Sequence, residues 1–257
     1  MKVLASDLDR TLLPNGEWPL EQNSIEEFNK LVKKNQVVLI YVTGRSLALA
    51  QQGIQEHNFI EPEIFITDVG AKIWKKQQNK WTEDKDWQEH IKKEHPCWNI
   101  EKIKEKIKQV PGVIRQEEKN NSLFKQSYYA QNKEQVEQVK ELLKGEFDEH
   151  IIDSFDPTIQ QELIDIMPKR LSKLSAIQFT QKKLRITNKD IIYCGDSGND
   201  IEALKYYQGV LVRNADNQLL QAIKDNPNIF FAQENEQGNG YYVNGVIQGA
   251  YHFRIFL

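Results

Sequence analysis

Short apolar runs alternate with amphipathic helical stretches over the first third of the chain, break off near Glu83, and resume at Ser172. Nothing else in the sequence constrains the fold as tightly. Residues 2–6, 37–42 and 64–66 are short apolar runs, as strands buried on both faces are. Between them, residues 23–34 place Ile25, Phe28, Leu31 and Val32 on one helical face, and a second helix starts at Ser46 and ends before Pro62. After Ser172 the same rhythm returns: helix 173–184, strand 191–195, helix 201–206, strand 210–212, helix 217–224, strand 229–231 and a last helix over 242–253. This alternation predicts an α/β fold, a Rossmann-like parallel sheet with helices on both faces. Residues 69–74 and the run around Trp81 read as a hairpin.

The middle of the chain has a different character. Helical stretches at 87–93, 100–109 and 133–143 are interleaved with strand signals at 112–115, 123–130, 150–153 and 160–167, joined by short turns. That pattern predicts an inserted α+β domain, an antiparallel sheet with helices against it. The expected division is a core of residues 1–82 and 169–257 and an insertion of residues 83–168.

Two acidic clusters sit where buried strands should end. Asp7-Leu8-Asp9 follows Val3, Leu4 and Ala5, and Gly195-Asp196-Ser197-Gly198-Asn199-Asp200 follows Ile191 to Cys194. Carboxylates crowded at a strand end repel unless a cation or a shared proton lies between them. Two such loops at one edge of a parallel sheet make a hard oxygen site, which suits Mg²⁺. Taken singly, each feature has a plain alternative: a polar turn for Asp7 and Asp9, a helix cap for Thr43 and Ser46, a surface lysine for Lys173, an ordinary turn for Asp196 to Asp200.

Taken together and in order, Asp7-Leu8-Asp9-Arg10-Thr11, Val42-Thr43-Gly44-Arg45, Lys173 and Gly195 to Asp200 resemble the four motifs of the haloacid dehalogenase-like (HAD) phosphatases. Further stretches, Thr67-Asp68-Val69-Gly70-Ala71-Lys72-Ile73-Trp74, Phe124-Lys125-Gln126-Ser127-Tyr128, Val212-Arg213-Asn214-Ala215 and Gly245-Val246-Ile247-Gln248-Gly249, are similar to sucrose-phosphatases and their sugar-phosphate phosphatase relatives. The resemblance implies a Mg²⁺-dependent phosphomonoester hydrolase. Asp7 would be the nucleophile that forms an aspartyl-phosphate, and Asp9 the general acid and then base. The metal would take the Asp7 carboxylate, the Asp9 backbone carbonyl, Asp196 and Asp200. The Thr43 hydroxyl and the Gly44 amide suit a phosphate oxygen, and Lys173 supplies a point charge to the phosphate and to Asp7. Arg45 and Asn199 join them as substrate-binding candidates, while Arg10 and Leu174 fall at positions that vary in the superfamily and receive no role.

The insertion then corresponds to a substrate-specificity cap, with Lys125 and Tyr128 as the candidates for sugar contact. Sucrose 6-phosphate is the implied substrate, with mannosylfructose phosphate, mannosyl-3-phosphoglycerate and hexose phosphates as alternatives. At Asp153-Ser154-Phe155-Asp156-Pro157 the chain lacks the Ser-Ser-Gly type of loop expected to face the sugar. A sugar-phosphate synthase is a candidate partner.

Composition narrows the remaining classes. With 34 basic and 37 acidic residues the chain carries no electrostatic footprint for nucleic acid. Two cysteines, Cys97 and Cys194, build no disulfide framework, and Cys194 reads as a small core residue. Met1 leads directly into the first strand and residues 37–42 are far too short to cross a bilayer. The expectation is a cytoplasmic enzyme. A signalling receiver also pairs acidic residues with Thr and Lys, but is about half this length. A catalytically silent phosphatase-like module would have no need of Asp7, Asp9, Thr43, Lys173 and Asp196 together.

Overall fold

A computed structural model describes residues 1–156 and 159–257. The chain divides into two compact units, one formed by Met1–Glu83 with Ser172–Leu257, the other by Asp84–Leu171.

The first segment runs β1 (Val3–Ser6), α1 (Ser24–Lys34), β2 (Val38–Val42), α2 (Leu47–Glu56), β3 (Ile64–Thr67), β4 (Lys72–Gln77) and β5 (Lys80–Glu83). The inserted unit holds α3 (Lys85–Glu94), α4 (Ile100–Ile107), β6 (Ile114–Arg115), β7 (Gln126–Ala130), α5 (Lys133–Leu143), β8 (Glu149–Asp156) and β9 (Gln161–Pro168). The chain then returns through α6 (Lys173–Leu184), β10 (Ile191–Gly195), α7 (Ile201–Tyr206), β11 (Gln208–Leu211), α8 (Asn217–Ile223), β12 (Ile229–Phe231) and α9 (Tyr242–His252).

In the first unit the strands form one sheet in the order β12-β11-β10-β1-β2-β3-β4-β5. The six strands from β12 to β3 are parallel, and β4 and β5 close the edge as an antiparallel hairpin. Every residue of β1 and of β10 is buried, which explains their unbroken apolar composition. The strand order reverses between β1 and β10, and ligands of such sheets bind beyond the carboxyl ends of the strands at that reversal. The expectation of an α/β fold with a mostly parallel sheet is met, and the hairpin read from residue 69 begins only at Lys72, after a 3₁₀ turn at Asp68–Gly70.

The second unit is an antiparallel sheet in the order β6-β7-β9-β8. Its core joins Ile103 and Ile107 of α4 and Val136, Val139 and Leu143 of α5 to Tyr128, Ile164 and Ile166 of the sheet. One expectation is corrected here. Asp153 to Asp156, which the family resemblance implied to be part of a loop facing the sugar, continue β8 and pair in register with Gln161 to Ile164 of β9. Among the described residues β8 has a neighbour on one side only, and edge strands tolerate the polar residues that a central strand would exclude. Pro157, the last residue of that predicted loop, lies outside the described residues.

Candidate active site

Asp7 stands just past the end of β1, and its amide still donates to the Cys194 carbonyl at 2.9 Å, as if the ladder to β10 ran one residue further. Its side chain is thereby fixed at the sheet reversal, where it is 4 % exposed. Lys173, the first residue of α6, reaches it from another element. The Ser172 side chain accepts from the Ser175 amide and the Ser175 hydroxyl accepts from the Ser172 amide, a capping box that sets the first turn of α6 and the direction of Lys173. Lys173 Nζ donates to Asp7 Oδ1 at 2.6 Å and to Asp200 Oδ1 at 2.8 Å. Burial alone would lower the lysine's pKa, yet the two carboxylates outweigh it and the pKa is raised.

Asp200 is completely buried and its carboxylate is fully used. Oδ1 also accepts from the Tyr193 hydroxyl, and Oδ2 accepts from the backbone amides of Asp196 and Ser197, both at 3.1 Å. Gly195 permits this fold-back, since a Cβ there would lie 2.6 Å from the Cβ of Asp200. Asp196 is held differently. Its Oδ1 accepts from the Thr11 hydroxyl at 3.1 Å, while its buried Oδ2 has no hydrogen-bond partner among the described residues.

One oxygen from each of Asp7, Asp196 and Asp200 lies within 4.8 Å of the others. Burial raises the Asp7 pKa to about 7, with repulsion from Asp200 and Asp9 adding to it and Lys173 opposing it. Burial, with Asp200 and Asp7, raises Asp196 to about 8. Three buried carboxylates face two cationic groups, Lys173 and, 3.4 Å from Asp196 Oδ2, Arg10, which leaves negative charge in excess. A hard divalent cation would relieve it, and the orphaned Asp196 Oδ2 is an oxygen ready to ligate. The residues therefore fit a metal ion.

A cavity of about 290 Å³ opens over this cluster, lined among others by Asp7, Asp9, Gly44, Arg45, Asp196 and Asn199. Thr43 is buried beside it, its hydroxyl accepting from the Arg45 amide at 3.1 Å, whereas the Ser46 side chain makes no capping bond to α2. Arg45 is turned to Asp9. Its Nε donates to Asp9 Oδ2 at 2.8 Å and its Nη1 to the Leu49 carbonyl at 3.2 Å. Asn15 also donates to Asp9 Oδ1, at 2.5 Å. The Arg45 guanidinium thus serves to orient the Asp9 carboxylate, a use that the sequence did not suggest.

The two cap candidates have different surroundings. Tyr128 is in β7, whereas Lys125 precedes that strand, in an isolated bridge to Ser122. Lys125 lies on the side of a polar pocket of about 180 Å³, where Nζ sits 3.2 Å from Asp165 Oδ2 and Ser127 Oγ donates to Asp165 Oδ1. Tyr128 is 3 % exposed among Ile103, Val136 and Ile164, and its hydroxyl has no partner there. It is a core residue of the second unit.

Some residues were missed. Tyr193 lies inside an apolar strand run, and no pattern marks it as the fourth group on Asp200. Arg10 was given no role, yet its Nε lies 3.4 Å from Asp196 Oδ2.

Comparison with known proteins follows the same lines. The family model described as sucrose-6F-phosphate phosphohydrolase matches residues 1–254. A HAD-like hydrolase of Nitrosococcus oceani is 33% identical over 264 residues, covering 98% of this chain and 71% of that protein. Sucrose-phosphatase 2 of Nicotiana tabacum is 29% identical over 244 residues, covering 90% of this chain and 56% of the plant protein, so the chain spans little more than half of that relative. The crystal structure of the sucrose-phosphatase from Synechocystis sp. PCC6803, in complex with sucrose and phosphate, superposes with a TM-score of 0.78 at 24% identity, covering 100% of this chain and 98% of that one, which shows a shared fold.

Proposed function

The chain belongs to the sucrose-6F-phosphate phosphohydrolase family, a family of phosphatases, and from that premise we propose that it hydrolyses a sugar phosphate with the help of Mg²⁺, sucrose 6-phosphate before others. The observation that carries this reading is the buried set Asp7, Lys173, Asp200 and Asp196 at the reversal of the sheet, with Asp9 held by Arg45 at the rim of the same cavity.

In this reading Asp7 attacks phosphorus and forms an aspartyl-phosphate as the sugar alkoxide leaves. Asp9 gives the leaving oxygen its proton and later takes one from the attacking water. Arg45 and Asn15 fix the Asp9 carboxylate for both steps. Lys173 opposes the upward shift of the Asp7 pKa by its charge and aligns the carboxylate by its hydrogen bond. The Thr43 hydroxyl and the Gly44 amide would receive phosphate oxygens, with Asn199 on the exposed side of the cavity. Asp7, Asp196 and the Asp9 carbonyl would hold Mg²⁺. Asp200, whose oxygens are already engaged, would act through the groups it anchors or through water. When bound, the ion supplies charge to offset the phosphate beside three carboxylates.

We assign substrate choice to the second unit, where the Lys125–Asp165–Ser127 cluster offers donors and acceptors suited to sugar hydroxyls. Association with a synthase draws no support from the relatives found. No helix among the described residues is long and apolar enough to cross a membrane.

The test is a phosphate-release screen with Mg²⁺ over sucrose 6-phosphate, mannosylfructose phosphate, mannosyl-3-phosphoglycerate and hexose phosphates. Turnover of at least one sugar phosphate is expected, with the highest kcat/KM on sucrose 6-phosphate. Failure on all of them would refute the phosphatase reading, and a clear preference for another member would move the substrate.

A further inference from the structure

Arg10 occupies a backbone conformation that arginine rarely adopts. Its φ is 59°, in the left-handed region where a Cβ is disfavoured and glycine is at ease. The surrounding structure holds it there firmly: its amide donates to Asn15 Oδ1 at 2.7 Å, and its carbonyl accepts from the buried Asn214 side chain at 2.6 Å. A side chain kept at a strained position invites a functional account.

The guanidinium is divided between two neighbours. Nη2 donates to Asp216 Oδ1 at 3.0 Å and to the Asn214 carbonyl at 3.2 Å, and the group lies 5.5 Å from the Trp18 ring centroid. Nε faces inward, 3.4 Å from Asp196 Oδ2, and neither of these two buried atoms has a hydrogen-bond partner among the described residues. The pair is close enough to feel full Coulomb attraction, yet just outside good hydrogen-bond geometry, because Asp216 and Asn214 hold the far end of the guanidinium.

We propose that Arg10 is a positioning residue that sets the affinity of the metal site: it is the counter-charge for the outer oxygen of Asp196, and a divalent ion must compete with it. This rests on the reading of Asp196 as a metal ligand. Asp216 tethers the guanidinium and so limits how far Arg10 can close on Asp196. Without a cation in place, Arg10 is the positive group beside Asp196 Oδ2. With one, Arg10 lowers the affinity by adding like charge beside the ion.

The experiment is Mg²⁺ titration of the intact protein by calorimetry, checked by the Mg²⁺ dependence of the thermal midpoint. Arg10→Met removes the charge and keeps an apolar stem against Trp18. Arg10→Gly removes the charge and suits φ 59°, so at least one of the two is expected to fold. Both should bind Mg²⁺ more tightly, by about tenfold, the effect of a unit charge a few ångströms from a divalent ion in a water-like dielectric. Asp216→Asn should weaken Mg²⁺ binding in the wild-type background more than in the Arg10→Met background, because its effect passes partly through Arg10. Unchanged or weaker Mg²⁺ binding in a folded Arg10 variant would overturn the proposal. So would an Asp216→Asn effect of equal size in both backgrounds. No Mg²⁺ binding by the wild-type protein would instead sink the metal reading itself.

Discussion

Lys173 Nζ lies 2.6 Å from Asp7 Oδ1 with both side chains almost fully buried, although 166 positions separate them in sequence. This single contact ties the end of β1 to the start of α6 and gives the proposed nucleophile its nearest positive charge. Breaking a buried pair from one side strands the other charge. Lys173→Met should therefore destabilise the metal-free protein by about 3–5 kcal/mol at a pH well above the Asp7 pKa of about 7. The loss, read by urea unfolding, should shrink on acidification, because Asp7 with its pKa near 7 then takes up a proton in place of the ion pair. An equal loss at all pH values would mean that packing, not charge, is what Lys173 provides.

Metal and pH should be linked, with a sign that follows from the carboxylates. Asp7 and Asp196 hold their protons in the folded metal-free protein up to about 7 and about 8, whereas the ordinary value of both is 3.8. The folded state then binds more protons than the unfolded state across that window, and stability falls as pH rises through it. The thermal midpoint of the metal-free protein should decline from about pH 5 to about pH 8. The increment produced by saturating Mg²⁺ should grow over the same range, since the ion replaces the lost protons. A Mg²⁺ increment that is flat with pH would contradict the assignment of these two carboxylates to the metal.

Tyr193→Phe removes one hydrogen bond to Asp200 and leaves the ring in place. The cost in stability should be about 0.5–1.5 kcal/mol. Because Asp200 also holds Lys173 and the loop of Asp196, kcat should fall several-fold while KM for the sugar phosphate changes little. An unchanged kcat would show that Asp200 is held well enough without it.

Much of this was legible in the sequence, and the parts that were not share a cause. Unbroken apolar runs marked β1 and β10 because central parallel strands bury both faces, and acidic loops directly after them placed the two clusters at one sheet edge. The start of α6 at Lys173 followed from the return of the strand–helix alternation after Ser172. Arg10 was unreadable because its partners, Asn214 and Asp216, lie more than two hundred residues away and are set by tertiary structure alone. Tyr193 carries its polar atom at the tip of a side chain that otherwise looks like core. Asp153 to Asp156, which the family resemblance implied to be part of a loop, lie on an edge strand that pairs with β9.

The cap assignments give a paired test. Lys125→Ala should raise KM for the true sugar phosphate by roughly 10- to 100-fold, while hydrolysis of a small aryl phosphate stays nearly constant. Tyr128→Phe should leave both substrates untouched and hold or raise stability, because it deletes a buried hydroxyl that lacks a partner. A KM effect of Tyr128→Phe on the sugar phosphate alone would restore Tyr128 as a sugar contact.

The central claim is that Asp7 is phosphorylated during turnover. The most direct measurement is acid quench of the Asp9→Asn variant mixed with Mg²⁺ and a phosphorus-labelled sugar phosphate that the wild-type protein hydrolyses, followed by mapping of the label. With Asp9 unable to activate water, the label should accumulate on the peptide containing Asp7 and be absent from the Asp7→Asn/Asp9→Asn double variant. Label on another residue, or turnover by Asp7→Asn at more than about a hundredth of the wild-type rate, would contradict the account.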